Sequence, residues 1–384
     1  MNMITGSIQS ELSRFSQTIQ NKSFTVNQVT TAAFCKARLK FSFTAFTELN
    51  TCLAQHLYQS AFAQQWNGFR LLAVDGSTLE LPKKTVLFDH FGKTSPHANY
   101  PSARLSQLYD VVNKISVDIQ VAPVSVGERT LVSRHLEYAN EHDLILYDRG
   151  YPAFWLFTLH QQNNIQYCAR LPVGFSATIK AFVESKAKET IVDLSPSKTS
   201  VIKFQELGIS VSNVKVRLIR IVLDDGSIEI LATSLLDVKK FRRKAFINLY
   251  HQRWFIEEDY KIMKSRLEVE NFSGFSVEAI QQYIHAKVLT KNIAAVAILE
   301  ADVLAKEKYR QRKSKYKINF NYTLSQFKDN IIRFILCMIP AGQNSEFIEQ
   351  LSNVVNAFRP GRKFKRNIDN INPKKHSTGY KRVV

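Results

Sequence analysis

"DLILYDRGYPAFWLFTLHQQN", residues 143–163, joins two kinds of pattern in one stretch. Its first part is a short unbroken apolar run, Leu144 to Tyr147, stopped by Asp148, Arg149 and Gly150. An apolar run of that length bounded by turn residues reads as a buried strand. "PAFWLFTLHQQN" (152–163) then returns to helical spacing, so strand leads directly into helix. Upstream, "RLLAVDGSTLELP" (70–82) is a second apolar strand, with a glycine turn signal and a proline stop. "SQLYDVVNKISVDIQVAPV" (106–124) alternates like two antiparallel strands joined by a short turn at Asn113-Lys114. "GERTLVSRHLEYAN" (127–140) reads as a helix. The order strand, hairpin, helix, strand, helix predicts an α/β fold in which a mixed sheet is covered by helices.

Residues 66–164 are thus the first part of an α/β core. From 165 to 236 the alternation breaks: "IQYCARLPVG", "KVRLIRIVL" and "SIEILATSLL" are strand-like, with "DDG" (224–226) as a hairpin turn. This predicts a β-rich insertion. Helix predominates afterwards, over 238–268, 277–312, 323–339 and 345–358. Residues 237–300 complete the core, and 301–384 form a helical C-terminal region with a basic tail. Residues 1–65 are Gln-, Ser- and Thr-rich with apolar residues at helical spacing, and predict a small basic module of two to four short helices.

Charge points to the partner. The 384 residues carry a formal net charge of +19, and the pI is near 9.7, far beyond what solubility requires. The excess is uneven: "KEKYRQRKSKYK" (306–317) holds seven Lys/Arg against one acid, and residues 359–384 hold nine against Asp369 alone. Nucleic acid is the expected partner, ahead of an anionic membrane surface, because no amphipathic anchor or lipidation motif is visible. No apolar run is long enough to span a bilayer, and the first residues lack a signal-peptide core, so the expected location is cytoplasmic. Cys35, Cys52, Cys168 and Cys337 are scattered without CxxC pairs, which suggests neither a zinc site nor a disulfide framework.

Carboxylates carry the chemistry. Asp75 follows "LLAV" and Asp148 follows "LILY", so each charge sits at the end of an apolar run, where desolvation is costly unless compensated. Each could simply start a turn, as Asp-Gly and Asp-Arg-Gly often do. "LYHQRWFIEEDYKIMK" (249–264) adds a third acid. On an α-helix, Tyr250, Arg253, Glu257 and Lys264 fall within roughly 60° of one another, with Phe255, Ile256, Ile262, Met263 and Leu267 opposite. That stripe fits a solvated face or a site equally well. Two strand acids and a helix acid together can surround a pair of hard cations, Mg²⁺ or Mn²⁺, which take oxygen ligands and serve phosphodiester chemistry. No G-x-S-x-G elbow or Walker-type phosphate loop offers another route.

"AVDGSTLELP", "RLSQLYDVVN", "DLILYDRGYP" and "YHQRWFIEEDYKIMK" together resemble the bacterial insertion-sequence transposases of the DDE class, cut-and-paste enzymes. The chain is most similar to the subgroup marked by Y-x2-R-x3-E-x6-K, complete here as Tyr250, Arg253, Glu257 and Lys264. The likeness runs from about residue 70 to 290. It implies a ribonuclease H-like fold whose sheet is interrupted by the insertion before the glutamate helix. It implies that Asp75, Asp148 and Glu257 bind two divalent metals, Mg²⁺ or Mn²⁺. Tyr250, Arg253 and Lys264 would contact phosphates near the scissile bond, and Arg149 and Tyr151 are further candidates for substrate contact. The implied reaction is strand cleavage at element ends, then strand transfer into target DNA, by a homodimer in a synaptic complex with double-stranded DNA. The N-terminal module is the candidate reader of the terminal inverted repeats, and the protein would work at the bacterial nucleoid. Hairpin-forming relatives carry a tryptophan in the insertion, yet Trp66, Trp155 and Trp254 all lie outside it. Trp254 is expected to pack. Two rival readings share much of this pattern: a metal-dependent nuclease without strand transfer, and a non-catalytic DNA-binding protein derived from a transposase.

Overall fold

A computed structural model describes residues 7–24, 29–196, 198–223, 226–312, 314–335 and 341–358. The basic tail 359–384 and the Asp224-Asp225 turn lie outside the described residues. In chain order, helices α1 (Ile8–Gln20), α2 (Thr31–Arg38) and α3 (Thr44–Gln59) precede strand β1 (Arg70–Glu80). Helix α4 (Thr85–Phe91) leads to β2 (Ser102–Asp110) and β3 (Ile115–Pro123). Then come α5 (Glu128–His135), β4 (Asp143–Tyr147), α6 (Phe154–Gln162) and β5 (Gln166–Leu171). Next are α7 (Ala177–Glu184), β6 (Glu189–Leu194), α8 (Lys198–Glu206), β7 (Val214–Val222) and β8 (Ile228–Thr233). Helices α9 (Ala245–His251), α10 (Trp254–Ser265) and α11 (Val277–Lys308) follow. Last are β9 (Lys315–Ile318), α12 (Phe320–Ile335), α13 (Ala341–Asn353) and β10 (Val355–Phe358).

The chain divides into two compact units. One, made of Gln64–Thr78 and Arg104–Tyr260, holds an eight-stranded sheet in the order β3-β2-β1-β4-β5-β8-β7-β6. β1, β4 and β5 are mutually parallel, whereas β8, β7 and β6 continue the sheet antiparallel. Hydrogen bonds from Val111 N to Leu71 O and from Leu81 N to Pro101 O run β2 antiparallel to β1. The sheet is therefore mixed, as the alternation of elements predicts. Its centre is dry: every residue of β4 is buried, as are Leu71, Leu72, Ala73 and Val74 of β1. The first turns of helix α6 are buried all round, with Phe154, Trp155, Leu156 and Phe157 in the core, while Gln161 and Gln162 at its end are exposed.

Three local expectations give way, two of them to tertiary pairing. β1 does not turn at Gly76 but runs on for four residues, because its β2 side stays paired after its β4 side ends at Val74. Gly76 is needed for closeness rather than for a turn: a Cβ there would lie 3.3 Å from the Glu128 carboxyl and 3.4 Å from the Tyr151 hydroxyl. The strands of 165–236 build no sheet of their own among the described residues; all of them extend the core sheet, and helices α7 and α8 lie between them. The single helix expected over 238–268 is two helices. α9 and α10 meet at Gln252 and Arg253, where bonds such as Arg253 N to Tyr250 O and Ile256 N to Arg253 O span three residues and tighten the winding.

The other unit comprises residues 1–63, 79–103 and 261–384 and is mainly helical. Its spine is the 32-residue α11, capped by Ser276, whose side chain accepts from Ala279 N. The N-terminal helices are tied to this spine rather than standing apart. Arg38 donates to Gln282 Oε1 at 2.6 Å and to Ala279 O at 2.9 Å, Phe43 N donates to Glu278 Oε1, and Asn50 is bonded to Asn292. Residues 355–358, expected at the end of a helix, form β10, which pairs antiparallel with β9 in the register Val355↔Ile318. Alternating Tyr316 and Ile318 opposite Ala357 and Val355 suit a pleated ribbon better than a helix face.

Candidate active site

Register brings the first two acids together. β1 and β4 are parallel, with Val74 opposite Tyr147, so Asp75 and Asp148 are the next residue along on each of two adjacent strands. Neighbouring strands lie about 4.8 Å apart, and residues in register share a face. Asp148 ends the apolar run as the sequence predicts, and Tyr151 N bonds to its carbonyl in a tight turn. Asp75, by contrast, lies in mid-strand. Its Oδ1 accepts from Gly76 N at 2.9 Å, and its own carbonyl accepts from the Tyr260 hydroxyl at 2.7 Å. Burial pushes the Asp75 carboxyl up to about 6; the Gly76 amide and Arg253 oppose the shift, while Glu257 and Asp148 add to it. Three acids therefore share one field.

The tightened turn between α9 and α10 brings the signature residues to those acids. Tyr250 donates from its hydroxyl to Asp148 Oδ1 at 3.2 Å. The Arg253 guanidinium donates from Nη2 to Glu257 Oε1 at 2.9 Å, and its Nε lies 4.0 Å from Asp148 Oδ1. Burial lowers the tendency of this guanidinium to hold its charge, but Tyr250, Asp148 and Glu257 outweigh that and strengthen it. Tyr250 and Trp254 present ring faces to the Arg253 side chain at 5.9 and 5.5 Å. Arg253 is only 4% exposed, so its charge is spent inside the cluster. Trp254, expected to pack, is 47% exposed. Phe255, placed on the apolar side, is exposed too, with the Lys114 ammonium over its ring, whereas Ile256 and Met263 are buried as expected.

The remaining expected residues differ in placement. Lys264, in the last turn of α10, lies 4.0 Å from Glu270. Arg149 is exposed, and Tyr151 is buried with a hydroxyl that has no hydrogen-bond partner among the described residues. Asp75, Asp148 and Glu128 all raise the Tyr151 phenol, after burial itself. Asp259, two residues beyond Glu257, turns away to accept from Gln107 at 2.9 Å. Two contributors escaped the sequence reading. Glu128, bonded to Arg104 at 2.6 Å, presses against Gly76, and Tyr260 holds the Asp75 backbone. Tyr260 shares a helix face with Glu257 three residues earlier, a spacing that could have flagged it; nothing in the spacing of Glu128 points to Asp75.

The donor set suits a hard divalent cation by chemistry. All three carboxylates offer oxygen only, and desolvation of the half-buried Asp75 raises its carboxyl to about 6, a shift that a bound cation would oppose. Geometry stops short of a cage: among the described residues no three acidic, histidine or cysteine side chains are gathered closely enough to hold an ion. Arg253 stands where such charge would act, between Asp148 and Glu257. Among the described residues, no helix is long and apolar enough to cross a membrane.

The transposase InsG of insertion sequence element IS4 from Escherichia coli (strain K12) is 22% identical over 277 residues, covering 71% of this chain and 62% of that protein. The piggyBac transposase, solved by cryo-electron microscopy in a synaptic complex with hairpin DNA, aligns at 9% identity over 77% of this chain and 59% of its own. Its TM-score of 0.43 is too low to bear on fold or function. The chain thus spans about three-fifths of the length of each relative. A family model described as a transposase DDE domain matches residues 66–293, from just before β1 to the middle of α11. That match takes in well over half of the chain and all three acids, and the protein belongs to the DDE-domain transposases.

Proposed function

We propose that this protein cleaves DNA strands at the ends of an insertion element and transfers them into target DNA. The observation that carries the reading is the register of β1 and β4, which sets Asp75 and Asp148 side by side, with Glu257 linked to Asp148 through Arg253. Asp75, Asp148 and Glu257 are the residues that would hold two Mg²⁺ or Mn²⁺ ions. Bound there, the ions would polarise a phosphodiester and stabilise the charge that develops on its attacking and leaving oxygens.

The chain's own residues supply placement. Strand pairing holds two of the carboxylates together, because a slip of one strand by one residue would put them on opposite faces of the sheet. Tyr250 orients Asp148 through its hydroxyl, and Tyr260 pins the backbone of Asp75. Arg149, exposed beside Asp148, is the cation best placed to meet a phosphate. Tyr250, Arg253, Lys264 and Tyr151 complete the proposed DNA contacts. The core that carries them is read as ribonuclease H-like, with 165–236 as an insertion and 1–65 as the reader of the element's inverted repeats. A homodimer bringing two ends together in a synaptic complex is the proposed working form, in the cytoplasm at the nucleoid. The net charge of +19 supports double-stranded DNA as partner for the element ends and for the target.

A gel assay tests this. Linear DNA bearing the inverted repeats that flank the reading frame is incubated with a supercoiled target and Mg²⁺ or Mn²⁺. The expected outcome is nicking at the repeat ends and joined product with the wild type, and neither with Glu257→Gln. Cleavage without joining would leave a nuclease. Binding without cleavage under any divalent ion would leave a DNA-binding protein.

A further inference from the structure

We infer that Arg253 is the resident counter-ion of the acidic cluster, and that it competes with divalent cations for Glu257 and Asp148 until DNA draws it away. The inference rests on the proposed function and deepens it. As a phosphate contact Arg253 is misplaced in this structure. It is 4% exposed, whereas the Asp148 and Glu257 side chains are 40% and 31% exposed. The carboxylates face solvent and the guanidinium lies behind them.

Its bonding is also incomplete. Nη2 is satisfied by Glu257, but Nε is buried without a hydrogen-bond partner among the described residues, 4.0 Å from the nearest Asp148 oxygen. A guanidinium offers five donors in a rigid fork, so a buried Nε left empty marks a position held by charge rather than by a complete set of bonds. The backbone beneath it fits a side chain that moves. Arg253 belongs to neither helix but to the tightened turn between α9 and α10. Rewinding that turn toward regular α-helix would rotate the side chain without unfolding either helix.

Charge sets the two occupants in competition. The Glu257 oxygen that accepts from the guanidinium is less available to a metal ion, and two cations this close repel. Arg253 would thus keep three acids tolerably together in the free chain and hold back cation binding there. A phosphate offers the guanidinium a bidentate partner. DNA binding then frees Glu257, so DNA and metal bind cooperatively, and by linkage each strengthens the other equally.

The test is Mn²⁺ binding to the full chain, followed by electron paramagnetic resonance in chelator-free buffer. Without DNA, Arg253→Gln is expected to bind Mn²⁺ about tenfold more tightly than the wild type, a typical size for site coupling. A purely structural or purely phosphate-binding Arg253 predicts equal or weaker binding, and either result overturns the inference. A second measurement needs no variant: after subtraction of the Mn²⁺ held by the same duplex alone, a mixed-sequence duplex should raise the wild type's Mn²⁺ affinity by a similar factor, and no change would overturn the inference. Glu257→Gln separates the two readings. If it leaves Mn²⁺ binding untouched, the metal site itself is refuted. If it weakens binding while Arg253→Gln and DNA have no effect, only the counter-ion role falls.

Discussion

The sheet-bearing unit contains two polar clusters built around carboxylates, one around a single acid and one around three, and they are built to opposite specifications. In one, Ser106 Oγ lies 2.9 Å from His135 Nε2, His135 Nδ1 lies 2.6 Å from Asp118, and Gln120 donates to the same carboxylate at 3.0 Å. Ser106 and His135 are fully buried and Asp118 nearly so. A serine–histidine–aspartate chain of that geometry suggests catalysis on paper, yet no substrate could reach it, and its reacting atoms already have partners. It holds β2, β3 and α5 together. In the other cluster, Asp75, Asp148 and Glu257 are half-buried, and the Arg253 guanidinium is paired with Asp148 and Glu257 and acts on Asp75 only through space. Satisfied and buried polar groups specify a fold, whereas under-compensated ones at the surface are available to a ligand.

Substitutions sharpen that contrast. The largest expected effect is at the open cluster: Asp75→Asn and Asp148→Asn should each lower DNA cleavage by about three orders of magnitude or more while leaving end binding intact. Lost binding in both, measured by gel shift, would make the cluster structural. Next, Asp118→Ala should leave His135 without its partner and cost about 3 kcal/mol in denaturant titration, with the remaining folded protein still cleaving. Cleavage lost at unchanged stability would move that network into the active site.

A third effect depends on pH. Asp75 titrates at about 6 in the folded chain, above the value near 3.9 of an unfolded aspartate. A raised carboxyl binds its proton more tightly when folded, so it detracts from stability fully above pH 6 and ceases to as pH falls toward 4. Asp75→Asn should therefore stabilise the protein by up to about 2 kcal/mol at pH 7 and above in a chelator, fading to nothing near pH 4. Thermal melts across that range would expose an aspartate that is instead comfortable. The smallest effect is at Tyr151→Phe. Its hydroxyl has no partner to lose, so stability should change by less than about 0.5 kcal/mol. A loss several times larger would mean the hydroxyl is bonded in solution.

Much of the sheet was legible because its signal is local. The unbroken run before Asp148, the alternation of 106–124 and the helical return after Gly150 each follow from periodicity, and β4, β2, β3 and α6 are found there. Where reading by period went astray, a long-range partner overrode local preference. Gly76 looks like a turn but lies in a strand that β2 keeps extended, and 355–358 looks like a helix end but pairs with β9. In the insertion three strands, β5, β7 and β8, are legible, while β6, α7 and α8 are not, and the joining of these strands to the core sheet is a matter of pairing across many residues.

By itself, the sequence determined which residues carry charge into apolar surroundings, and how Tyr250, Arg253 and Glu257 are spaced along one segment. Those are properties of composition and period, and they named the three acids. Tertiary structure alone decided that Asp75 and Asp148 share a register, that Glu128 and Tyr260 attend Asp75, and that Arg253 faces inward. Register between β1 and β4 depends on pairing residues some seventy positions apart, and the direction of a guanidinium depends on a turn that a regular helix would not contain.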